Sequence, residues 1–128
     1  MMGKTAITTE KAPTPVAAFS QAVRKGNILQ VAGQVAFDAA SGAVVGDDVA
    51  EQTRQTFKNL AAVLEAAGAS FADVVMVRAY LTDTAHFGPF NEVYNELIGE
   101  APHPARTTVY VGLPAGLLVE IDALAVLD

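Results

Sequence analysis

From Asp47 to Gly68 the chain reads DDVAEQTRQTFKNLAAVLEAAG, and Val49, Phe57, Leu60, Leu64 and Ala67, with Thr53 filling the stripe, recur at the spacing of one helix face. Asp48 followed by Glu51 resembles a capping box and Gly68 is a natural C-terminal cap, so the segment predicts a helix. A second helix is predicted from Phe87 to Ile98, where Phe87, Phe90, Tyr94 and Leu97 recur at spacings of three and four. Pro89 falls in its first turn, the one place where a missing N–H is tolerated. The ordinary role of such an aromatic stripe is core packing, and Asn91, Glu92, Asn95 and Glu96 form the polar face.

Runs rich in β-branched residues and bounded by Gly or Pro predict strands over Gln30–Ala36, Val74–Thr82, Thr107–Gly112 and Leu117–Leu127. Ala17–Arg24 and Ile28–Val31 read as a hairpin around Lys25, Gly26 and Asn27, and FDAASGAVVGDD and GLPAG read as loops. No residue pattern repeats, although strand, helix, strand occurs twice. This alternation predicts an α/β fold in which two helices cover one face of a mixed sheet. In the last strand Val119, Ile121, Ala123, Ala125 and Leu127 form one side, suited to the helix-facing core. Leu118, Glu120, Asp122, Leu124 and Val126 form the other, a mixture of carboxylates and large apolar groups that predicts burial in an oligomer interrupted by a polar pocket.

Composition sharpens this picture. A chain of 128 residues holds one core, so 1–128 is expected to be a single domain. With 52% hydrophobic and 17% charged residues it carries more apolar surface than a small monomer hides, which again points to self-association. A net charge of -6 argues against a nucleic-acid partner. No cysteine is present, which excludes disulfides, a thiolate nucleophile and Cys-based metal sites. The N-terminal MMGKTAITTEKAPTP lacks the apolar core of a secretory signal and no apolar run is long enough to span a bilayer, so a soluble cytoplasmic protein without a membrane partner is expected.

Most familiar chemistries find no support. There is no phosphate-cradling G-x-x-x-x-G-K-[ST] loop and no G-x-G-x-x-G after a strand. His86 and His103 lie 17 positions apart with no acidic neighbours at ligand spacing, so no metal is expected, and Ser20, Ser41 and Ser70 lack a nucleophile-elbow context. Arg106, Glu120 and Asp122 remain. Arg106 stands at the mouth of a strand that reads as buried, where its guanidinium must find partners for five donors. Two roles stay open: a structural ion pair to Glu120 or to a carboxylate of another subunit, or a fork that binds a substrate carboxylate through two parallel hydrogen bonds. An arginine and a glutamate flanking one hairpin could then serve as carboxylate anchor and water-handling base.

PARTTVYVGLPAGLLVEIDALAV resembles the C-terminal motif of the RidA/YjgF family, in which P-x-R-[ST] and a strand are followed by L-P-x-G and an E-I-[ED]-A-x-A strand. VAGQVAFDAASGAVV resembles the family's S-G-Q segment, GASFADVVMVRAYLTD its central strand and FGPFNEVYNELI its N-x-x-Y helix, in the same order and spacing. The resemblance implies a chorismate-mutase-like fold, assembled as a homotrimeric barrel with active sites in the clefts between subunits. It implies the hydrolysis of reactive 2-imino acids, formed from enamines such as 2-aminoacrylate, to 2-oxo acids and ammonia, without a cofactor.

Residue by residue, the resemblance implies that Arg106 binds the substrate carboxylate and that Glu120 positions or activates water. It places Gly33 in a loop whose backbone faces the ligand, Thr108 where the family often has a cysteine and uses main-chain groups, and Asn91 near the cleft. Phe19 and Ala32 depart from it, standing where the best-characterised members have tyrosine and serine. Each removes a hydroxyl whose hydrogen bond is worth about 1 kcal/mol, which bears on substrate preference. A non-catalytic trimer that binds 2-oxo acids and a sister deaminase for another enamine are the alternatives. The ribonuclease or translation-inhibitor label the family has carried fits poorly with the acidic balance and the absence of a basic or histidine-based cleavage site.

Overall fold

In the computed structural model, which describes residues 3–128, the Asp48 carboxylate caps the first predicted helix by accepting a hydrogen bond from the Glu51 amide at 2.8 Å. Glu51 answers one residue earlier than a capping box requires, accepting from the Asp47 amide at 3.0 Å. Helix α1 spans Val49–Ala66, and Gly68, at φ +76°, turns the chain out of it. Helix α2 spans Phe87–Leu97 and follows a short 3-10 turn over Thr84–His86, which the Asp83 carboxylate caps.

Six strands, β1 (Thr5–Ile7), β2 (Ala22–Lys25), β3 (Ile28–Val35), β4 (Val74–Leu81), β5 (Ala105–Tyr110) and β6 (Val119–Val126), form one sheet in the order β1-β2-β3-β6-β4-β5. Only β4 and β5 pair in parallel. The last strand lies between β3 and β4, antiparallel to both, which explains why it is apolar on nearly every position. Each helix follows one strand and precedes a parallel one: α1 joins β3 to β4 across the place β6 fills, and α2 joins β4 to its neighbour β5. The expected mixed sheet with two helices is therefore what forms.

The alternation in β6 falls as its pattern predicts. Val119, Ile121, Ala123 and Ala125 are fully buried beneath Leu60, Val63 and Phe90 of the helices, whereas Leu118, Glu120, Leu124 and Val126 keep partial exposure on the face that no helix covers. In β3 the register against β6 runs from Val31 opposite Ala123 to Gln34 opposite Ile121. Three steps on one strand match two on the other, so Ala32 and Gly33 form a bulge directed at Glu120 and Asp122.

Three expectations change. β1 has no counterpart in the sequence pattern, because three residues at a sheet edge, two of them exposed, carry no periodic signal. The strand expected over Ala17–Arg24 starts only at Ala22; residues 17–20 lie outside the ladder, in a segment rich in proline just before them. β5 begins two residues before Thr107 and is an edge strand with most of its residues exposed, not the buried strand its β-branched composition implied. Among the described residues no helix is long and apolar enough to cross a membrane.

Candidate active site

Arg106 lies on β5 opposite Val77 of β4, and Val77 faces the helices, so the guanidinium is directed under α2. Helix α2 presents four residues to it at the i, i+3, i+4, i+7 spacing of one face: Phe87, Phe90, Asn91 and Tyr94. The guanidinium carbon sits 4.5 Å from the Tyr94 ring centre and 5.7 Å from those of Phe87 and Phe90. These rings hold a planar cation well and accept few of its hydrogen bonds. One N–H donates to Asn91 Oδ1 at 2.8 Å.

No carboxylate among the described residues comes within ion-pair distance of Arg106; the two ion pairs are Arg54 with Glu96 and Arg78 with Asp122. The structural salt bridge to Glu120 is therefore not made within the chain. Beside the arginine, the hydroxyls of Tyr94 and Thr108 are buried and unpartnered. Thr108 is two residues along the same face of β5. Burial pushes the Tyr94 hydroxyl above the usual phenol range, and the neighbouring Arg106 charge opposes that shift.

Glu120 occupies a second locus. It is paired with Tyr80 of β4 and Val35 of β3, on the face that no helix covers. Gly33 in the β3 bulge closes over it: a β-carbon there would collide with the carboxylate, standing 2.9 Å from its carboxyl carbon. Two residues on, Asp122 is fully engaged, accepting from the Tyr80 hydroxyl at 2.7 Å and from Arg78 Nε at 2.8 Å. Asp122 is thus the structural carboxylate of the pair, which leaves Glu120 without a cation. Burial first, and the Asp122 charge second, raise the Glu120 carboxyl above its ordinary value.

Phe19 and Ala32 lie with this second locus. Ala32 is in the bulge, its amide donating to the Gln21 carbonyl at 2.9 Å. Phe19, 52% exposed, lines a small cavity with Gly33, Val35 and Phe37.

The expected site residues thus divide into two sets. Arg106, Asn91 and Thr108 sit on the helix side of the sheet at its β5 edge; Glu120, Gly33, Ala32 and Phe19 sit on the other side. β5 and β6 do not form a hairpin, since β4 lies between them, so the expectation that Arg106 and Glu120 flank one hairpin is corrected. Alternation then puts Val77, the partner of Arg106, and Tyr80, the partner of Glu120, on opposite faces of β4. The aromatic cup of Phe87, Phe90 and Tyr94 is the part that pattern reading assigned to core alone. Its signal was present, because Asn91 falls inside the apolar stripe rather than on the far polar face.

Comparison with known proteins places this arrangement. The family model described as endoribonuclease L-PSP matches residues 9–127. A RutC family protein of Pyrococcus abyssi is 47% identical over 97% of this chain and 98% of its own. The 2-iminobutanoate/2-iminopropanoate deaminase of Rattus norvegicus is 41% identical over 94% of this chain and 88% of its own. The crystal structure of RidA from an Antarctic Psychrobacter superposes with a TM-score of 0.91 at 39% identity, covering 96% of this chain and 99% of that one. With the matched segment spanning nearly all of the fold and carrying both loci, the chain belongs to the RidA/YjgF family.

Proposed function

We propose that this protein hydrolyses 2-imino acids to 2-oxo acids and ammonia, at sites formed where the Arg106 locus of one chain meets the Glu120 locus of another in a homotrimer. The observation that carries the reading is the state of Arg106. An always-charged fork, seated on three rings, makes a single hydrogen bond to a neutral amide and has no carboxylate partner within the chain. Such a group is a ready anion anchor. The imine deaminases among its relatives supply the substrate class.

In this mechanism Arg106 holds the substrate carboxylate and, by partly neutralising it, makes the adjacent imine carbon more electrophilic. Glu120 orients a water and takes its proton as the oxygen bonds to that carbon, then returns it to the nitrogen; the carbinolamine passes its hydroxyl proton to the amine by the same carboxylate and expels ammonia to leave the carbonyl. Holding water and imine together supplies proximity, and the carboxylate adds a base term of roughly 10²-fold. A base whose proton affinity is raised by burial suits that step better than an ordinary surface carboxylate.

A coupled assay tests the reading. A dehydratase generates 2-aminoacrylate or 2-aminocrotonate, and the protein is expected to speed the loss of the imine relative to buffer. Binding of 2-oxo acids with no acceleration would instead establish the non-catalytic trimer, the reading that the missing hydroxyls at Phe19 and Ala32 favour.

Two variants probe the Glu120 side. Gly33→Ala places a methyl where the carboxylate now lies, and the flexible carboxylate must swing away. Gly33 does not have a positive φ, so the backbone accepts alanine. The expected result is a fall in kcat of about 10²-fold, the size of a lost general base, with a melting temperature close to that of the parent. An unchanged kcat would remove Glu120 from the chemistry.

Glu120→Gln is expected to lower kcat to a similar extent, and its stability should depend on pH in a defined sense. The native pKa of Glu120 lies above the unfolded value, so the folded protein loses stability as pH rises from the ordinary carboxylate range through the raised pKa. Glutamine has no proton to lose. The gain in melting temperature on substitution should therefore be larger at neutral pH than at about pH 3, where glutamate is largely protonated in both states. A gain that is the same at both would show that Glu120 is not perturbed.

A further inference from the structure

On the open face of the sheet Tyr80 and Glu120 stand directly opposite each other across β4 and β6, and Arg78 and Asp122 form the next pair on that face. Direct and diagonal cross-strand neighbours are both within reach of side chains as long as tyrosine and arginine, so each of these two donors has a choice of carboxylate. Both take Asp122. The Tyr80 hydroxyl passes its direct neighbour and donates to Asp122 Oδ2 at 2.7 Å, and Arg78 Nε donates to Asp122 Oδ1 at 2.8 Å. Among the described residues no ion pair reaches the Glu120 carboxylate, and burial and the Asp122 charge are what act on its proton. Stability is a poor account of this choice. The Arg78 side chain is 51% exposed, so its pair with Asp122 is screened by water and adds little to the fold.

We infer that Asp122 is a positioning residue for the Glu120 base: by holding the Tyr80 hydroxyl and the Arg78 guanidinium on its own two oxygens, it keeps the Glu120 oxygens free for water. On the reading proposed above, on which this inference rests, a Glu120 that accepted from a phenol or paired with a guanidinium would be a weaker base with its oxygens occupied. Hydrogen bonding to Asp122 first, and burial second, push the Tyr80 hydroxyl above the usual phenol range, so it stays a donor. The rest of the surroundings within the chain add no titrating group. β3, reading ILQVAGQV, covers Glu120 with Gly33 and neutral side chains, and the helices lie on the far side of the sheet. In the proposed assembly Arg106 of another chain faces Glu120 across the substrate, and it is the same in every variant below.

The experiment titrates Glu120 itself, so that it stands apart from turnover. In protein isotope-labelled at its glutamate carboxyls, the Glu120 resonance is identified by its loss in Glu120→Gln and followed by NMR against pH. Asp122→Asn removes a like charge and releases Tyr80 and Arg78 toward Glu120, and each of these changes lowers its pKa. Arg78→Gln leaves the Asp122 charge uncompensated beside Glu120 and should raise it. Adding Tyr80→Phe to Asp122→Asn takes away the released hydroxyl and should return part of the shift. On the coupled assay the acid limb of kcat should move in the same directions. At its plateau, kcat of Asp122→Asn should fall about tenfold, as for a hydrogen bond to a charged group that water must displace, with KM little changed. A residue that merely holds the sheet together would not shift the titration in opposite senses in the two variants. Shifts of the same sign, or none, overturn the inference, and if Asp122→Asn does not assemble, the direction in Arg78→Gln alone decides. Opposite shifts in a protein that hydrolyses no imine would sink the catalytic reading and leave the hold of Asp122 on its two donors standing; hydrolysis with an unmoved titration would keep the reaction and remove Asp122 from it.

Discussion

Arg106→Ala is expected to abolish imine hydrolysis, lowering kcat/KM by about 10²- to 10⁴-fold, the worth of two hydrogen bonds between charged groups at roughly 1.5–3 kcal/mol each. The fold should survive. Arg106 sits partly exposed on an edge strand, its hydrogen bond goes to Asn91, and no buried carboxylate is left behind when it is removed. What the fold loses is the contact with three rings, a cation–π contribution of about 0.5–2 kcal/mol, visible as a modest fall in melting temperature. Arg106→Lys should restore little. An ammonium is a point charge that cannot make two parallel hydrogen bonds, and it does not lie flat on Tyr94 as a guanidinium does. Kinetics on the coupled assay and a thermal melt decide the matter together. Full activity in Arg106→Ala removes the anchor and the proposed reaction with it, and a lysine variant as active as the parent would show that charge alone suffices.

Some of this was legible in the sequence because it is local. The caps at Asp48 and Gly68, the two helical stripes and the alternation of β6 each follow from residues within one or two turns of each other, and all formed. What the sequence left hidden depends on which strand lies next to which. Arg106 and Glu120 are 14 positions apart and read as neighbours across a turn, yet β4, some 25 residues earlier in the chain, lies between their strands. Parity along β4 then decides that they face opposite ways, a fact no pattern within residues 105–126 contains. The same holds for Asp122. Its sequence position makes it as good a candidate base as Glu120, and only the pairing of Arg78 with Asp122 and the reach of Tyr80 show that its oxygens are already engaged. The bulge at Ala32 and Gly33 is a third case: a glycine in a strand hints at a close approach, but not at which carboxylate approaches it.

Because one chain holds the two loci on opposite faces of its sheet, a mixture of two inactive variants should regain activity. Arg106→Ala keeps an intact Glu120 locus and Glu120→Gln keeps an intact Arg106 locus. Neither alone can build a complete shared site. Co-expressed or refolded together at equal amounts, each shared site draws its two halves from independently chosen chains, so about one quarter of the sites receive both functional halves whatever the size of the ring. The mixture should then recover about a quarter of parental kcat per chain, less where exchange between chains is incomplete. Native mass spectrometry supplies the control, and it should show mixed assemblies at three times the 13.3 kDa chain mass. Mixed assemblies with no recovered activity would mean that Arg106 and Glu120 never share a site, and the division of labour between two chains would fall. Recovery would show that each chain contributes a different half, with the anion anchor carried on the β5 edge under α2 and the base on the open face of β6.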